Sequence, residues 1–207
     1  ALLGVVVLAD LVLINVKFID LHDRARMEAV LEPTPAIEFL QKQPGPFRVF
    51  PLDEFGSNRF VAFGITTVGG MQPAKLRIYQ DLLDRQLLSR PPVLAMLNVR
   101  YLLSERDPGL PIFERVARGV YEYAGARPRA WLVPSWHELA DEDAVLRALA
   151  SPEFDHASMA LFSKDRVPGV AKSGLPVREV TIEEAGTHLI RMRTGPGDGA
   201  GLLVVSE

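Results

Sequence analysis

No stretch limits the folds open to this chain more than residues 1–15, ALLGVVVLADLVLIN, which are almost wholly apolar and carry one charged side chain, Asp10. A membrane span needs about 20 apolar residues, and this run ends sooner, at Asn15 and Lys17. It also lacks the basic residues that begin a signal peptide. Two structures fit the run: the outer half of a transmembrane helix, or a buried helix or strand of a soluble core.

The composition of the whole chain excludes several classes of function. The 207 residues are 48% hydrophobic and 24% charged, as in globular proteins, and the net charge is -3. Nucleic-acid binding needs a clustered basic surface, which the sequence does not show, so no nucleic-acid partner is expected. The absence of cysteine excludes disulfides, thiolate catalysis and cysteine-ligated metals, and it fits an extracytoplasmic bacterial domain.

The fold class that the pattern predicts is α+β. Residues 33–165 alternate short apolar runs, typical of strands, with amphipathic segments, typical of helices. We expect one sheet flanked by helices at 73–88, beginning at Pro73, and at 137–150, where Ser135 and Glu138 have the spacing of a capping box. The strands expected in that sheet are FRVFPL (47–52), RYLLS (100–104), VYEYA (120–124), RAWLV (129–133) and SMALFS (158–163).

The sequence after Pro168 has a different pattern. It alternates polar and apolar residues with a period of two and is broken by glycine-rich turns, which predicts antiparallel β structure. We expect residues 177–206 to form a separate antiparallel unit with an open edge. A β-sandwich needs about seven strands, and this region has room for fewer. It therefore predicts a truncated, sandwich-like region, and the sequence is expected to be cut from a longer protein at both ends.

Motifs that carry catalysis or bind cofactors do not occur in the sequence. There is no G-x-S-x-G, no P-loop and no H-E-x-x-H. In WHELAD, Asp141 stands where a zinc site would need a second histidine after His137. GPGDGAG (195–201) precedes a strand, so it predicts a hairpin turn and not a dinucleotide loop. We therefore predict no catalytic residue, no metal ligand and no cofactor.

One segment carries a candidate binding site. VGGMQPAKLRIYQDLLD (68–84) places two glycines and a proline before a helix, with basic side chains near the helix start. Cations there oppose the helix dipole, which favours anions. The candidate substrate-binding residues for an anion or a sugar are Gly69, Gly70, Gln72, Lys75 and Arg77. The alternative is a plain turn into a surface helix with both basic residues in solvent, and helix-terminal charge effects of about 0.3–1 kcal/mol allow it.

The order of motifs along the chain resembles a known family. The motifs are DLVLINVKFI, FLQKQPGPFRVFPL, GITTVGGMQPAKLRIYQDLLD, MLNVRYLLS, VYEYAGARPRAWLV, LASPEFD and LLVVSE. In this order they resemble the C-terminal extracytoplasmic part of YfhO-like bacterial membrane proteins, which are similar to polytopic glycosyltransferases of the GT-C type. The resemblance covers most of the chain.

The resemblance implies a domain organisation and an activity. Residues 1–19 would end a transmembrane helix, 20–167 would form an extracytoplasmic α+β domain, and 168–207 would begin a β-sandwich-like domain. The parent protein would sit in the cytoplasmic membrane and transfer sugar from a polyprenyl-phosphate donor to a cell-envelope glycan. The implied partners are this lipid-linked donor, or membrane lipid, and the glycan. The family's catalytic acid lies in a loop outside this chain, so no catalytic residue is carried over. The alternative is a non-catalytic structural or protein- and glycan-interaction module.

Overall fold

The computed structural model describes residues 2–16, 18, 28–186 and 188–206. The chain divides into two compact units, Ala1–Thr34 and Pro35–Glu207. The fold is mixed α+β with several sheets, which confirms the fold class predicted from the sequence. The predicted domain bounds at 19/20 and 167/168 stay predictions.

The first unit contains the predicted N-terminal helix. α1 spans Leu2–Asn15, and residues 28–30 are also helical. The large apolar side chains of α1 from Leu3 to Ile14 are exposed. The helix was expected to reach residue 19, but it ends at Asn15, and residues 17 and 19 lie outside the described part of the chain. Within the described residues, no helix combines the length and apolarity that a membrane crossing requires.

The second unit is built on a four-stranded sheet with the order β1-β2-β4-β3. β1 and β2 are parallel, and β2, β4 and β3 continue the sheet antiparallel. A parallel pair requires a long crossover. Residues 52–98 form this crossover, which contains two short 3-10 helices and two α-helices, α3 (Arg77–Asp84) and α4 (Pro91–Met96). The bounds are α2 Pro35–Gln41, β1 Arg48–Pro51, 3-10 helix Arg59–Phe63, α3 Arg77–Asp84, 3-10 helix Leu87–Ser89, α4 Pro91–Met96, β2 Val99–Leu103, β3 Phe113–Ala117 and β4 Val120–Tyr123.

Both faces of this sheet are buried. Successive strand residues point to opposite faces, so Tyr101 and Leu102 of β2 enter different clusters. Tyr101 packs with Ile37 and Leu40 of α2 and with Phe60 of the first 3-10 helix. Leu102 lies in the second cluster, which contains one residue each from α4, β3 and β4 and one from the loop after β1: Leu94, Phe113, Tyr121 and Val68.

The remaining strands form three two-stranded sheets. β5 pairs antiparallel with β10, β6 pairs parallel with β7, and β8 pairs antiparallel with β9. α5 connects β6 to β7, and its Leu146 packs with Leu87, Leu88 and Val93 in a third cluster. The bounds are β5 Ala130–Val133, β6 Ser135–Leu139, α5 Glu142–Leu149, β7 Met159–Ser163, 3-10 helix Lys164–Arg166, β8 Val180–Ala185, β9 Ile190–Thr194 and β10 Leu202–Val205.

The expectation of a single sheet for five predicted strands is wrong. Residues 47–52, 100–104 and 120–124 do meet in the four-stranded sheet, but 129–133 and 158–163 lie in two other sheets. β5 instead takes the distant β10 as its partner, with Ala130 opposite Val205. Residues 177–206 are likewise not a separate unit, because β10 pairs with β5, a strand of the preceding region. Pairing between strands about 70 residues apart leaves no local signal in sequence.

The predicted helix at 137–150 begins later than its capping pattern suggested. Ser135 and Glu138 lie on β6, where Trp136 is buried and His137 is exposed. The helix cap is Asp141, whose Oδ1 accepts a hydrogen bond from the N–H of Ala144 at 2.7 Å. All five residues of SWHEL pair with β7, and this pairing overrides the capping-box spacing.

Candidate functional site

A pocket of about 230 Å³ lies between α3, the loop 66–70 and residues 48 and 97. Its walls are of two kinds. The apolar side chains that line it are Phe55, Val68, Leu76, Leu83 and Leu97, and the polar ones are Arg48, Thr66, Thr67, Gln72, Lys75 and Tyr79. Among the described residues that line it, two are basic and none is acidic. The pocket lining is therefore mixed, with apolar side chains and two basic ones.

The structure brings together four of the five candidate binding residues. Gly69, Gly70, Gln72 and Lys75 all line this pocket, but Arg77 does not. The Arg77 side chain is 91% exposed, and its Nε lies 4.0 Å from Oδ2 of Asp81. The sequence placed both basic residues inside a helix starting at Pro73, whereas α3 starts at Arg77. The predicted helix start is therefore wrong: Arg77 opens the helix, and Lys75 lies in irregular chain before it.

Steric limits explain the two glycines. A Cβ at Gly69 would lie 2.2 Å from the carbonyl oxygen of Phe55, which belongs to the backbone and cannot move aside. Gly70 has a φ of 114°, which strains any L side chain, and its N–H donates to the same Phe55 oxygen at 2.7 Å. The glycines thus let the loop pass close to Phe55. The pocket beside the two glycines still supports the interpretation that this loop binds a ligand.

The end of this loop is fixed by one asparagine. The Nδ2 of Asn58 donates to the carbonyl of Met71 at 3.0 Å, and the N–H of Met71 donates to Oδ1 of Asn58 at 2.8 Å. This paired arrangement copies a β-bridge with a side chain. It fixes the backbone of Met71 between Gly70 and Gln72, which both line the pocket.

Arg48 is a buried cation in the pocket wall. It begins β1, has only 8% of its surface exposed, and donates from Nη1 to the carbonyl of Leu97 at 3.2 Å and to Oγ of Ser206 at 3.0 Å. Sequence reasoning placed Arg48 in a strand and did not assign it to the site. The sequence did indicate that Arg48 is buried. FRVFPL is apolar on both faces, so its arginine had to be buried together with hydrogen-bonding partners.

Tyr79 closes the pocket on the α3 side. Its hydroxyl donates a hydrogen bond to the carbonyl of Val68. Burial raises the pKa of Tyr79, while the positive charge of Arg48 acts in the opposite direction. The phenol is therefore protonated at neutral pH and serves as a donor. Tyr79 and Leu83 are both half-buried, and the pocket lies beside them.

The histidines and carboxylates of the described residues do not form a metal site: no group of three or more is close enough to hold an ion. Asp155 accepts hydrogen bonds from the N–H of Ala157 at 2.9 Å and from the hydroxyl of Ser158, and these lower its pKa. Burial and the charge of Arg127 lower the pKa of His156, whose Nδ1 is buried without a hydrogen-bond partner. Asp155 thus orders a turn, and we assign no catalytic role to it or to His156.

Comparisons with known proteins give no relative from which to transfer a function. No protein-family model, no curated protein and no solved structure matches the chain.

Proposed function

We propose that this chain is the extracytoplasmic part of an integral membrane protein that resembles GT-C-type glycosyltransferases. In this proposal its α+β unit assists sugar transfer from a polyprenyl-phosphate donor to a cell-envelope glycan by binding the donor at the pocket beside Gly69 and Gly70. The chain contributes no catalytic residue, and the reacting groups belong to another part of the parent protein.

The observation that carries this proposal is the mixed lining of the pocket, which contains both basic and apolar side chains. Lys75 and Gln72 are suited to contact a phosphate, because an ammonium and an amide N–H donate to its oxygens. Leu76 and Leu83 offer an apolar surface to the first isoprene unit. A polyprenyl phosphate carries a phosphate group bonded directly to an apolar isoprenoid chain. It therefore matches the mixed lining of the pocket better than a purely polar sugar does.

The size of the pocket limits how much of the donor it would hold. Sites for drug-sized molecules measure about 300–1,000 Å³, and this pocket measures about 230 Å³. It suits the phosphate and the start of the lipid chain. The rest of the isoprenoid and the glycan acceptor would lie outside it.

Titration of the 207-residue chain with farnesyl phosphate, followed by calorimetry, tests the proposal. We expect binding of farnesyl phosphate, and weaker binding of inorganic phosphate and of farnesol, because each has only one of the two chemistries. Lys75→Gln removes a charged hydrogen bond worth about 1.5–3 kcal/mol, so affinity should fall at least tenfold.

Lys42→Gln is the matched control, because Lys42 is exposed and does not line the pocket. It removes the same charge and should leave the affinity unchanged. Equal affinity of the wild type and the Lys75→Gln variant would show that the ligand binds elsewhere, for example on α1. Absence of binding by the wild type would refute the proposal and favour the non-catalytic interaction module.

A further inference from the structure

The chain from Met71 to Ile78, MQPAKLRI, forms the outer rim of the pocket, and we name it the rim segment. Each of its eight residues is exposed. Met71 is 73% exposed and Leu76 is 75% exposed, although an apolar residue of that size normally packs against a core. Ile78, in the first turn of α3, is 44% exposed. The segment therefore presents three large apolar side chains to solvent.

Basic residues are interleaved with these apolar ones. Lys75 precedes Leu76 and Arg77 follows it, and the rim segment contains no acidic residue. The nearest acid along the chain, Asp81, lies 4.0 Å from Arg77 and neutralises that residue only in part. Apolar side chains beside exposed cations are typical of segments that lie in the interface of an anionic membrane.

The start of the rim segment is held in place before any partner binds. Two hydrogen bonds with the side chain of Asn58 fix the backbone of Met71, and Gly70 with its positive φ sets the direction in which the chain enters the rim segment. A segment that is already ordered loses less conformational entropy on binding.

We propose that the rim segment docks on the surface of an anionic lipid bilayer. Met71, Leu76 and Ile78 enter the boundary between head groups and acyl chains, and Lys75 and Arg77 contact the lipid phosphates. Because Lys75 and Leu76 also line the pocket, docking would place the pocket among lipid head groups. This inference concerns the bilayer and not the pocket ligand, so it can hold whether or not the pocket binds a polyprenyl phosphate.

Binding of the whole chain to vesicles would not test this proposal, since α1 also exposes apolar side chains. A probe confined to the rim segment is needed. Because the chain contains no cysteine, a single introduced cysteine can be labelled selectively with a dye. Met71→Cys labelled with the polarity-sensitive dye NBD reports on the rim segment alone. Val177→Cys, at an apolar position that is 60% exposed and outside the segment, is the matched control.

With vesicles of equal parts phosphatidylcholine and phosphatidylglycerol, the dye at position 71 should shift to the blue and be quenched by lipid-borne quenchers. The dye at position 177 should do neither. Arg77→Gln should lower the ratio of inserted to water-exposed dye about fivefold, the effect of one basic residue near an anionic surface. Arg118→Gln, which removes an exposed arginine elsewhere, should leave the ratio unchanged.

Three results would overturn the proposal. The first is a dye at position 71 that stays in water, like that at 177, while the chain is bound to the vesicles. The second is equal insertion into vesicles of phosphatidylcholine alone, which would remove the role of charge. The third is a blue shift without lipid that grows with protein concentration, which would indicate a second copy as the partner. These vesicles contain no polyprenyl phosphate, so failure here leaves the pocket proposal untouched.

Discussion

Arg48 and Ser206 are 158 positions apart in the sequence, and Nη1 of Arg48 donates a hydrogen bond to Oγ of Ser206 at 3.0 Å. Arg48 begins the four-stranded sheet, and Ser206 directly follows β10 of the neighbouring two-stranded sheet. The N–H of Ser206 also donates to the carbonyl of Arg129 at 2.9 Å. One buried residue pair thus links two sheets and fixes the arginine that lines the candidate pocket.

Removing either side of this link should destabilise the protein. Ser206→Ala leaves the Arg48 guanidinium with one partner fewer in a buried site, so we expect the free energy of unfolding to fall by about 1–3 kcal/mol. Arg48→Met should cost at least as much. Urea unfolding of both variants and of the double variant gives the coupling energy. Ser173→Ala, at an exposed serine, is the control and should have little effect; additive losses in the double variant would contradict the proposed link.

The two glycines of the loop should not tolerate side chains. Gly70→Val places a β-branched residue at a φ of 114°, and we expect a loss of about 1–3 kcal/mol. Gly69→Ala should also destabilise, because its Cβ would meet the Phe55 carbonyl oxygen. Gly56→Ala is the control: no heavy atom lies within 4 Å of its added Cβ. If thermal melts rank Gly56→Ala with the other two, the steric explanation fails.

Asp141 should be the residue that starts α5. Asp141→Ala removes the side-chain acceptor of the Ala144 N–H, and it should cost about 0.5–2 kcal/mol of unfolding free energy. Asp141→Asn retains an acceptor and should recover most of this loss, because asparagine caps helices about as well as aspartate. Unfolding in urea compares the two variants. Equal losses for alanine and asparagine would indicate that the charge of Asp141 matters, and not its cap.

Stability should fall in mild acid because of His156. Its pKa is lowered in the folded protein, first by burial and then by Arg127, so the unfolded chain binds a proton more readily. The contribution is fully present above the unfolded pKa of about 6.5 and is lost as the pH falls toward the folded pKa.

The measurement is the unfolding free energy of His156→Gln and the wild type between about pH 7.5 and pH 5, around the unfolded pKa of histidine. The variant should lose less stability over this range than the wild type does. Identical pH profiles for His156→Gln and the wild type would assign the acid sensitivity to another group.

Local patterns predicted three of the four strands of the first sheet, missed β3 (Phe113–Ala117), and predicted the partners of later strands poorly. The runs at 47–52 and 100–104 are apolar and bounded by turn residues, and they form the paired β1 and β2. The partner of β5 could not be read in the same way, because Val205 lies 75 residues beyond Ala130. At Ser135 the capping-box spacing suggested a helix, whereas the segment pairs with β7 and buries Trp136.

The residues of the candidate site were likewise predictable only where they are neighbours in the sequence. Gly69, Gly70, Gln72 and Lys75 are neighbours in sequence, so a local pattern was enough to group them, and the structure places all four around one pocket. The other polar residues reach the pocket from different elements. Tyr79 was not assigned to the site, and Arg48 was assigned only to a strand, because the sequence alone does not show which elements meet.

The hydrogen bond between Arg48 and Ser206 also bears on the order in which the protein folds while it is being synthesised. Arg48 is translated 158 residues before Ser206, and β5 leaves the ribosome well before β10. Contacts of such high contact order form slowly and late. On a nascent chain, the four-stranded sheet could therefore assemble while Arg48 still lacks its serine partner. The pocket wall would reach its final geometry only after β10 has docked, so ligand binding by a nascent or C-terminally shortened chain would report directly on that last step.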